Sequence, residues 1–244
     1  ADNAFINANS AAQATGNVLA PPPPPPAPTL LSVLDQGTRQ GQYGTLVLNA
    51  DGSYAYTLNS AAVQSLAANE TVTEDFAYLV SDGSANVGST LTITIAGSND
   101  APVVTADVVN LTEDTVVQAS GNVLANDSDA DEGTTLIVGT PGTYVGAYGV
   151  LNLAADGSYS YQVDAAKAQS LAQGQSVKDV FAYTATDGVA DVGSTLTLHI
   201  MGSNDAPVVT ADSGTISEDT SAALTGSVLI NDSDVDTGTV LQVG

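Results

Sequence analysis

The sequence contains no cysteine, one histidine and only 3 Lys+Arg in 244 residues. Without cysteine, disulfides and thiolate chemistry are both excluded, so the fold must be held by its core or by metal. The scarcity of basic residues excludes nucleic acid as a partner, because phosphate binding needs a positive surface. It disfavours an anionic membrane surface for the same reason. No apolar run approaches the ~18 residues of a membrane-spanning helix. No signal peptide is visible, and the chain opens ADNAF without methionine. It reads as a mature or internal piece of a longer chain.

What is abundant is acid. The 27 Asp+Glu give a formal charge of −24, which means either a solvating surface or a demand for cations. Disorder does not fit, because 43% of residues are hydrophobic and fall in patterned runs. The length suits roughly two domains of about 100–150 residues.

The organisation is repetitive. GSNDAPVVTAD begins at 97 and again at 202, DGSYAY at 51 is matched by DGSYSY at 156, and QSLA occurs at 64 and 169, always 105 residues apart. A constant, gapless spacing means tandem copies of one folding unit. The copies are 1–100, 101–205 and an incomplete third, 206–244, that holds only the opening strands.

Within a copy the pattern is β. GSTLTITI (88–95) and VGSTLTLHI (192–200) alternate apolar and polar residues at period two. YGVLNLAADGSYSYQV (148–163) reads as a hairpin closed by an Asp-Gly turn. In copy two the strands are expected at 103–111, 115–124, 134–139, 148–153, 158–164, 179–186 and 193–201, with AAKAQSLAQG (165–174) as a helical turn. About seven short strands in ~100 residues predict an all-β fold of tandem Ig-like sandwiches.

If the strands run alternately down and up, the acids collect where copies meet. At the first junction Asn99 and Asp100 are expected to meet Asn126, Asp127, Asp129 and Asp131. At the second, Asn204 and Asp205 meet Asp232, Asp234 and Asp236, with Glu113 and Asp114 below. Unpaired carboxylates repel, and the chain has almost no cations to offset them. A hard divalent ion would, and Ca²⁺ takes 6–8 oxygen ligands. An EF-hand is rejected: counting from Asp127, the sixth position is Glu132 rather than Gly and the twelfth is Val138 rather than Glu.

GNVLANDSDADEGTTL, YGVLNLAADGSYSYQV, FAYTATDG and GSNDAPVV together resemble the VCBS-type, cadherin-like repeats of giant bacterial (RTX or biofilm-associated) adhesins. The resemblance implies a secreted, cell-surface protein of tandem β-sandwiches rigidified by Ca²⁺, acting as an extender in adhesion or biofilm. Asn-Asp-x-Pro linkers and Asp-x-Asp loops also resemble calcium-binding cadherin junctions. Copy one departs from the pattern: Pro21–Pro26 stand where copy two has Asn126–Asp131, and Ala8-Asn9 where it has Glu113-Asp114. The prolines would replace a metal-held loop by a covalently stiffened one, and copy one brings only Asn9 from its first-strand end.

Other residues have simpler readings. His199 lies on an alternating strand and has no nucleophile beside it, so an enzyme is not expected. Asp51 and Asp156 are turn residues; Asp82 and Asp187 also sit in Asp-Gly turns, which the strand count places near a domain top, within reach of a metal in the case of Asp187. Tyr54, Tyr56, Tyr159 and Tyr161 alternate along strands and are expected to pack on a sheet face; Phe76 and Phe181 are expected in the core. The alternative to an extender is a filament subunit. In that reading the strands of 206–244 complete copy one of another subunit, head to tail. A carbohydrate-binding domain is disfavoured, since no convergent site is visible.

Overall fold

The computed structural model describes residues 1–9, 13–19, 30–219, 221 and 223–244. The hexaproline expectation at 21–26 lies outside the described residues. The chain divides into two compact units: Ala1–Ala101 with Asp129–Thr135, and Pro102–Ser128 with Leu136–Gly244.

Unit 1 carries β1 (Asp2–Asn7), β2 (Gln13–Asn17), β3 (Ser32–Val33), β4 (Gly37–Gln40), β5 (Gly44–Leu48), β6 (Ser53–Leu58), β7 (Thr71–Ser81) and β8 (Asn86–Ala96). Its two sheets have the orders β1-β8-β7-β3 and β2-β6-β5-β4. Unit 2 repeats the plan with β9 (Asp107–Thr112), β10 (Gln118–Asn122), β11 (Ile137–Val138), β12 (Gly142–Val145), β13 (Gly149–Leu153), β14 (Ser158–Val163), β15 (Ser176–Thr186) and β16 (Asp191–Met201). Its sheets are β9-β16-β15-β11 and β10-β14-β13-β12. A short helix, α1 (Ala165–Ala168), occupies the expected helical turn.

Both units are β-sandwiches, and alternation builds their cores. In β16, Leu196, Leu198 and Ile200 are buried while the residues between them are not; in β8, Leu91, Ile93 and Ile95 do the same. Side chains on one face of each strand therefore meet the other sheet. Tyr161, Phe181 and Tyr183 join the unit 2 core, and Tyr54, Tyr56, Phe76 and Tyr78 that of unit 1. His199 is half-buried on β16.

Eight strands form where about seven were expected. The added one is β12, and it does not disturb the alternation. The pairings of β11 with β15 and of β12 with β13 make both run the same way. They are one stretch that changes sheets across Thr140-Pro141. Pro141 supplies no N–H to a ladder and marks the break.

The first and last strands of each unit pair in parallel, β1 with β8 and β9 with β16. Thr112 is thereby opposite Met201. The residues after both strands leave the sheet together, which positions the site described next.

Candidate metal centre

Glu113 continues from β9, and its N–H donates to the Met201 carbonyl at 3.0 Å. A tight turn follows, with Thr115 N–H on the Glu113 carbonyl and Val116 N–H on that of Thr112. Asp114 sits in it with φ of 62°, a left-handed conformation that Asp tolerates better than most residues. Glu113 Oε1 accepts the Ser203 N–H at 2.9 Å, and Asp114 Oδ2 accepts the Ser203 hydroxyl at 3.3 Å. The carboxylates are thus tied to the segment leaving β16.

The third acid arrives from further along the chain. Val208 and Ser233 exchange backbone hydrogen bonds of 2.8 and 3.0 Å, and the Thr237 N–H donates to the Ser170 carbonyl. Asp236 Oδ2 then accepts the Asp205 N–H at 3.0 Å, and Asp234 Oδ1 accepts that of Asp236 at 2.9 Å. Gln169 donates its amide to Asp205 Oδ2 at 2.8 Å and to Asp114 Oδ1 at 3.4 Å. The result brings carboxylate oxygens of Glu113, Asp205 and Asp236 within 4.8 Å of one another.

The electrostatics are unfavourable as they stand. Glu113 is 2% exposed and Asp236 5%, and Glu113 Oε2 and Asp236 Oδ1 are buried without a hydrogen-bond partner. Burial pushes the Glu113 carboxyl above its ordinary range, and the Asp114, Asp205 and Asp236 charges add to the rise against the Ser203 amide. A buried, unpaired carboxylate is costly unless a cation joins it. An all-oxygen, carboxylate-rich set suits a hard ion such as Ca²⁺ rather than a soft one. The residues fit the ion.

Unit 1 holds a reduced version. Asp131 Oδ2 accepts the Asp100 N–H, and Asp129 Oδ1 that of Asp131, each at 2.9 Å. The Glu132 N–H donates to the Ser65 carbonyl at 3.0 Å. Gln64 donates to Asp100 Oδ2 at 2.5 Å and Asn9 to Asp100 Oδ1 at 3.3 Å. Ala8, 2% exposed, stands where unit 2 has Glu113.

The other expected ligands are placed differently. Asp127 and Asp232 each accept a backbone N–H at 2.8 Å, from Thr105 and Thr210. Asp127 Oδ2 and Asp129 Oδ2 are buried without a partner. Asn126 is exposed and bonds Asp107, and Asn99 and Asn204 turn their amides onto the carbonyls of Asp100 and Asp205. Asp187 Oδ1 accepts the N–H groups of Val189 and Ala190, and Asp82 those of Ser84 and Ala85. Asp51 and Asp156 cap Ser53 and Ser158 in their hairpin turns.

One buried carboxylate and its half-buried counterpart in unit 1 were missed by the sequence reading. Asp179, 4% exposed, accepts the Tyr161 hydroxyl at 2.7 Å and the N–H groups of Ala147 and Tyr148 at 2.8 and 3.1 Å. Glu74 does the same in unit 1 for Tyr56, Gln42 and Tyr43. The signal was parity: Asp179 shares a strand face with Phe181 and Tyr183, so its side chain must point inward.

Two outcomes follow locally. A Cβ at Gly202 would overlap the Leu171 and Ala172 carbonyls, and backbone cannot yield as a side chain can. Gly202→Ala is expected to cost about 1–3 kcal/mol, read as a lower denaturant midpoint; an unchanged midpoint would show that the loop shifts freely. The second concerns alkali. Tyr183 is pushed up to about 12, by burial above all and further by Asp107; burial and the Glu74 or Asp179 carboxylate raise Tyr56 and Tyr161 further. The unfolded chain loses these protons near pH 10 while the folded one keeps them. Their contribution is complete below pH 10 and declines as pH rises toward 12 and beyond. Thermal unfolding between pH 9 and 11.5 should show a falling midpoint, and a flat profile would refute the burial of these hydroxyls.

Among the described residues no helix is long and apolar enough to cross a membrane. A family model described as "Bacterial cadherin-like domain" matches residues 1–97 and 99–202. The calcium-binding lectin RapA2 of Rhizobium johnstonii is 32% identical over 183 residues, 68% of this chain and 75% of that protein. Among solved structures, human CDH23 EC21-23 superposes with a TM-score of 0.51 at 13% identity, covering 97% of this chain and 84% of that one. Protocadherin Gamma B7 extracellular cadherin domains 1-4 give 0.46 at 16% identity; the chain covers 54% of that structure and is itself covered to 90%. With both copies matched and the sandwich topology in place, the chain belongs to the bacterial cadherin-like domain family.

Proposed function

We propose that this chain is a calcium-binding extender segment of an extracellular bacterial adhesin or biofilm matrix protein of the VCBS-bearing kind, made of repeats 1–100 and 101–205 and the opening strands of a third. The observation that carries this reading is the Glu113–Asp205–Asp236 cluster, in which buried Glu113 and Asp236 each keep an orphaned oxygen in a chain of net charge −24. Glu113, Asp114, Asp205, Asp234 and Asp236 would hold Ca²⁺ in unit 2, and Asp100, Asp129 and Asp131 would do so in unit 1. The ion would supply the missing positive charge. It would also tie three chain segments, distant in sequence, into one support. The similarity to a calcium-binding lectin favours the same ion.

A second reading, the head-to-tail filament, is favoured by apolar side chains left exposed in 208–243. Val209 is 74% exposed and Ile230 85%, and strands from another copy would bury such groups. Electron microscopy with millimolar Ca²⁺ and then excess chelator separates the readings. Straight single particles that become flexible in chelator are expected for the extender. Long fibres would establish the filament. Particles indifferent to chelator would overturn the calcium assignment. Because the similar RapA2 is a lectin, a glycan array belongs beside this experiment; strong, specific glycan capture would displace the extender as the primary role.

A further inference from the structure

We infer that the two acidic sites load in a fixed order, the Glu113–Asp205–Asp236 site of unit 2 first and the Asp100–Asp131 site of unit 1 at higher calcium; this rests on the calcium reading above. The sites share a frame. In each, the N–H of an Asp after the last strand donates to a second Asp, at 2.9 Å for Asp100–Asp131 and 3.0 Å for Asp205–Asp236. In each a glutamine contributes its amide, Gln64 or Gln169. They differ at the turn after the first strand.

In unit 2 that turn brings Glu113, buried with Oε2 unpartnered, and Asp114, whose carboxylate accepts from Ser203 and Gln169. In unit 1 the same positions are Ala8, which carries no ligand, and Asn9, whose Nδ2 donates to Asp100 Oδ1. Asp100 thus has an amide on each oxygen, from Asn9 and Gln64. A cation entering there displaces two amide donors and meets two fewer carboxylates. Calcium affinity is set by the number of charged ligands and the rigidity of their frame. Both favour unit 2, where Glu113, 2% exposed with Oε2 unpartnered, adds a buried carboxylate oxygen that Ala8 cannot supply in unit 1. The expected gap is about tenfold or more.

The test uses the whole chain. Calcium is titrated by calorimetry, and Tb³⁺ by luminescence sensitised through the 9 tyrosines, since the chain has no tryptophan. Two steps are expected. Asp236→Asn removes the tight step, and Asp131→Asn removes the weak one. Ala8→Glu with Asn9→Asp tightens the weak step tenfold or more. Because Ala8 is buried, Asn9→Asp alone serves as the second variant and should tighten that step to a smaller degree. Equal affinities in the wild type, or loss of the weak step in Asp236→Asn, would overturn the order while leaving the calcium reading intact. No binding of either ion would overturn the calcium reading itself, and the order with it.

Discussion

Asp179→Ala is expected to lower the stability of unit 2 by about 3 kcal/mol, more than any surface substitution in that unit. The carboxylate is 4% exposed and accepts from the Tyr161 hydroxyl and the N–H groups of Ala147 and Tyr148. Those two amides lie in the turn between β12 and β13, so one side chain fixes a hairpin to the opposite sheet. Hydrogen bonds to a charged group contribute about 1.5–3 kcal/mol each when intact, and a buried donor left without its acceptor costs about 1–3 kcal/mol. Partial solvation of the turn amides keeps the total near the lower end of their sum. At about 4–8 °C per kcal/mol for a domain near this size, the thermal transition should fall by more than about 10 °C. Tyr161→Phe removes one donor and one bond together and should cost about 1 kcal/mol. Because the two residues share a bond, the double variant should cost less than the sum of the single ones. Additive losses in calorimetry would show that the hydroxyl and the carboxylate act separately.

Calcium is expected to have the other large effect. An ion that binds only the folded chain stabilises it by about 4 kcal/mol when free ligand is a thousand times Kd. Scanning calorimetry with excess Ca²⁺ and then chelator should move the unit 2 transition by more than about 10 °C. Glu113→Gln should erase most of that shift. It should also destabilise the calcium-free protein little, because the amide loses the charge that opposes Asp205 and Asp236. An identical calcium shift in Glu113→Gln and wild type would remove Glu113 from the ligand set.

The core was legible because its chemistry is periodic. Leu196, Leu198 and Ile200 alternate with threonine and histidine, and nothing in a strand competes with that pattern. β12 was not legible. Four residues bounded by Pro141 and Gly146 are too few to show a period, and Val145 is 77% exposed. Asp179 was hidden for a related reason. β15 begins at Ser176, and with the strand taken to start at 179 the acid stood at its very end, where only its parity with Phe181 and Tyr183 marked it as inward. At the candidate site, the Asp-x-Asp loops and Glu113-Asp114 were readable as acids without counter-charge. The meeting of Glu113 and Asp114 with Ser203 follows from the ends of β9 and β16 lying level, which only the parallel register reveals. The repeated QSLA was read solely as a marker of duplication. Its glutamine reaches Asp100 or Asp205, and the carbonyl of its serine anchors the approaching acidic loop.

The parallel pairing of first and last strands also has a mechanical consequence. Tension applied where β9 begins and where β16 ends acts along the strands in opposite directions. Six residue pairs, Asp107–Thr112 against Leu196–Met201, bind the two, and a parallel ladder spaces its hydrogen bonds evenly. The load therefore shears all the rungs together instead of peeling them one at a time. β1 and β8 form the same six-pair clamp in unit 1. Rupture under force follows the unfolding barrier rather than the equilibrium stability. A sandwich of modest thermal stability can on this account bear a pull that would open an antiparallel hairpin of equal length, a property suited to a tether under drag.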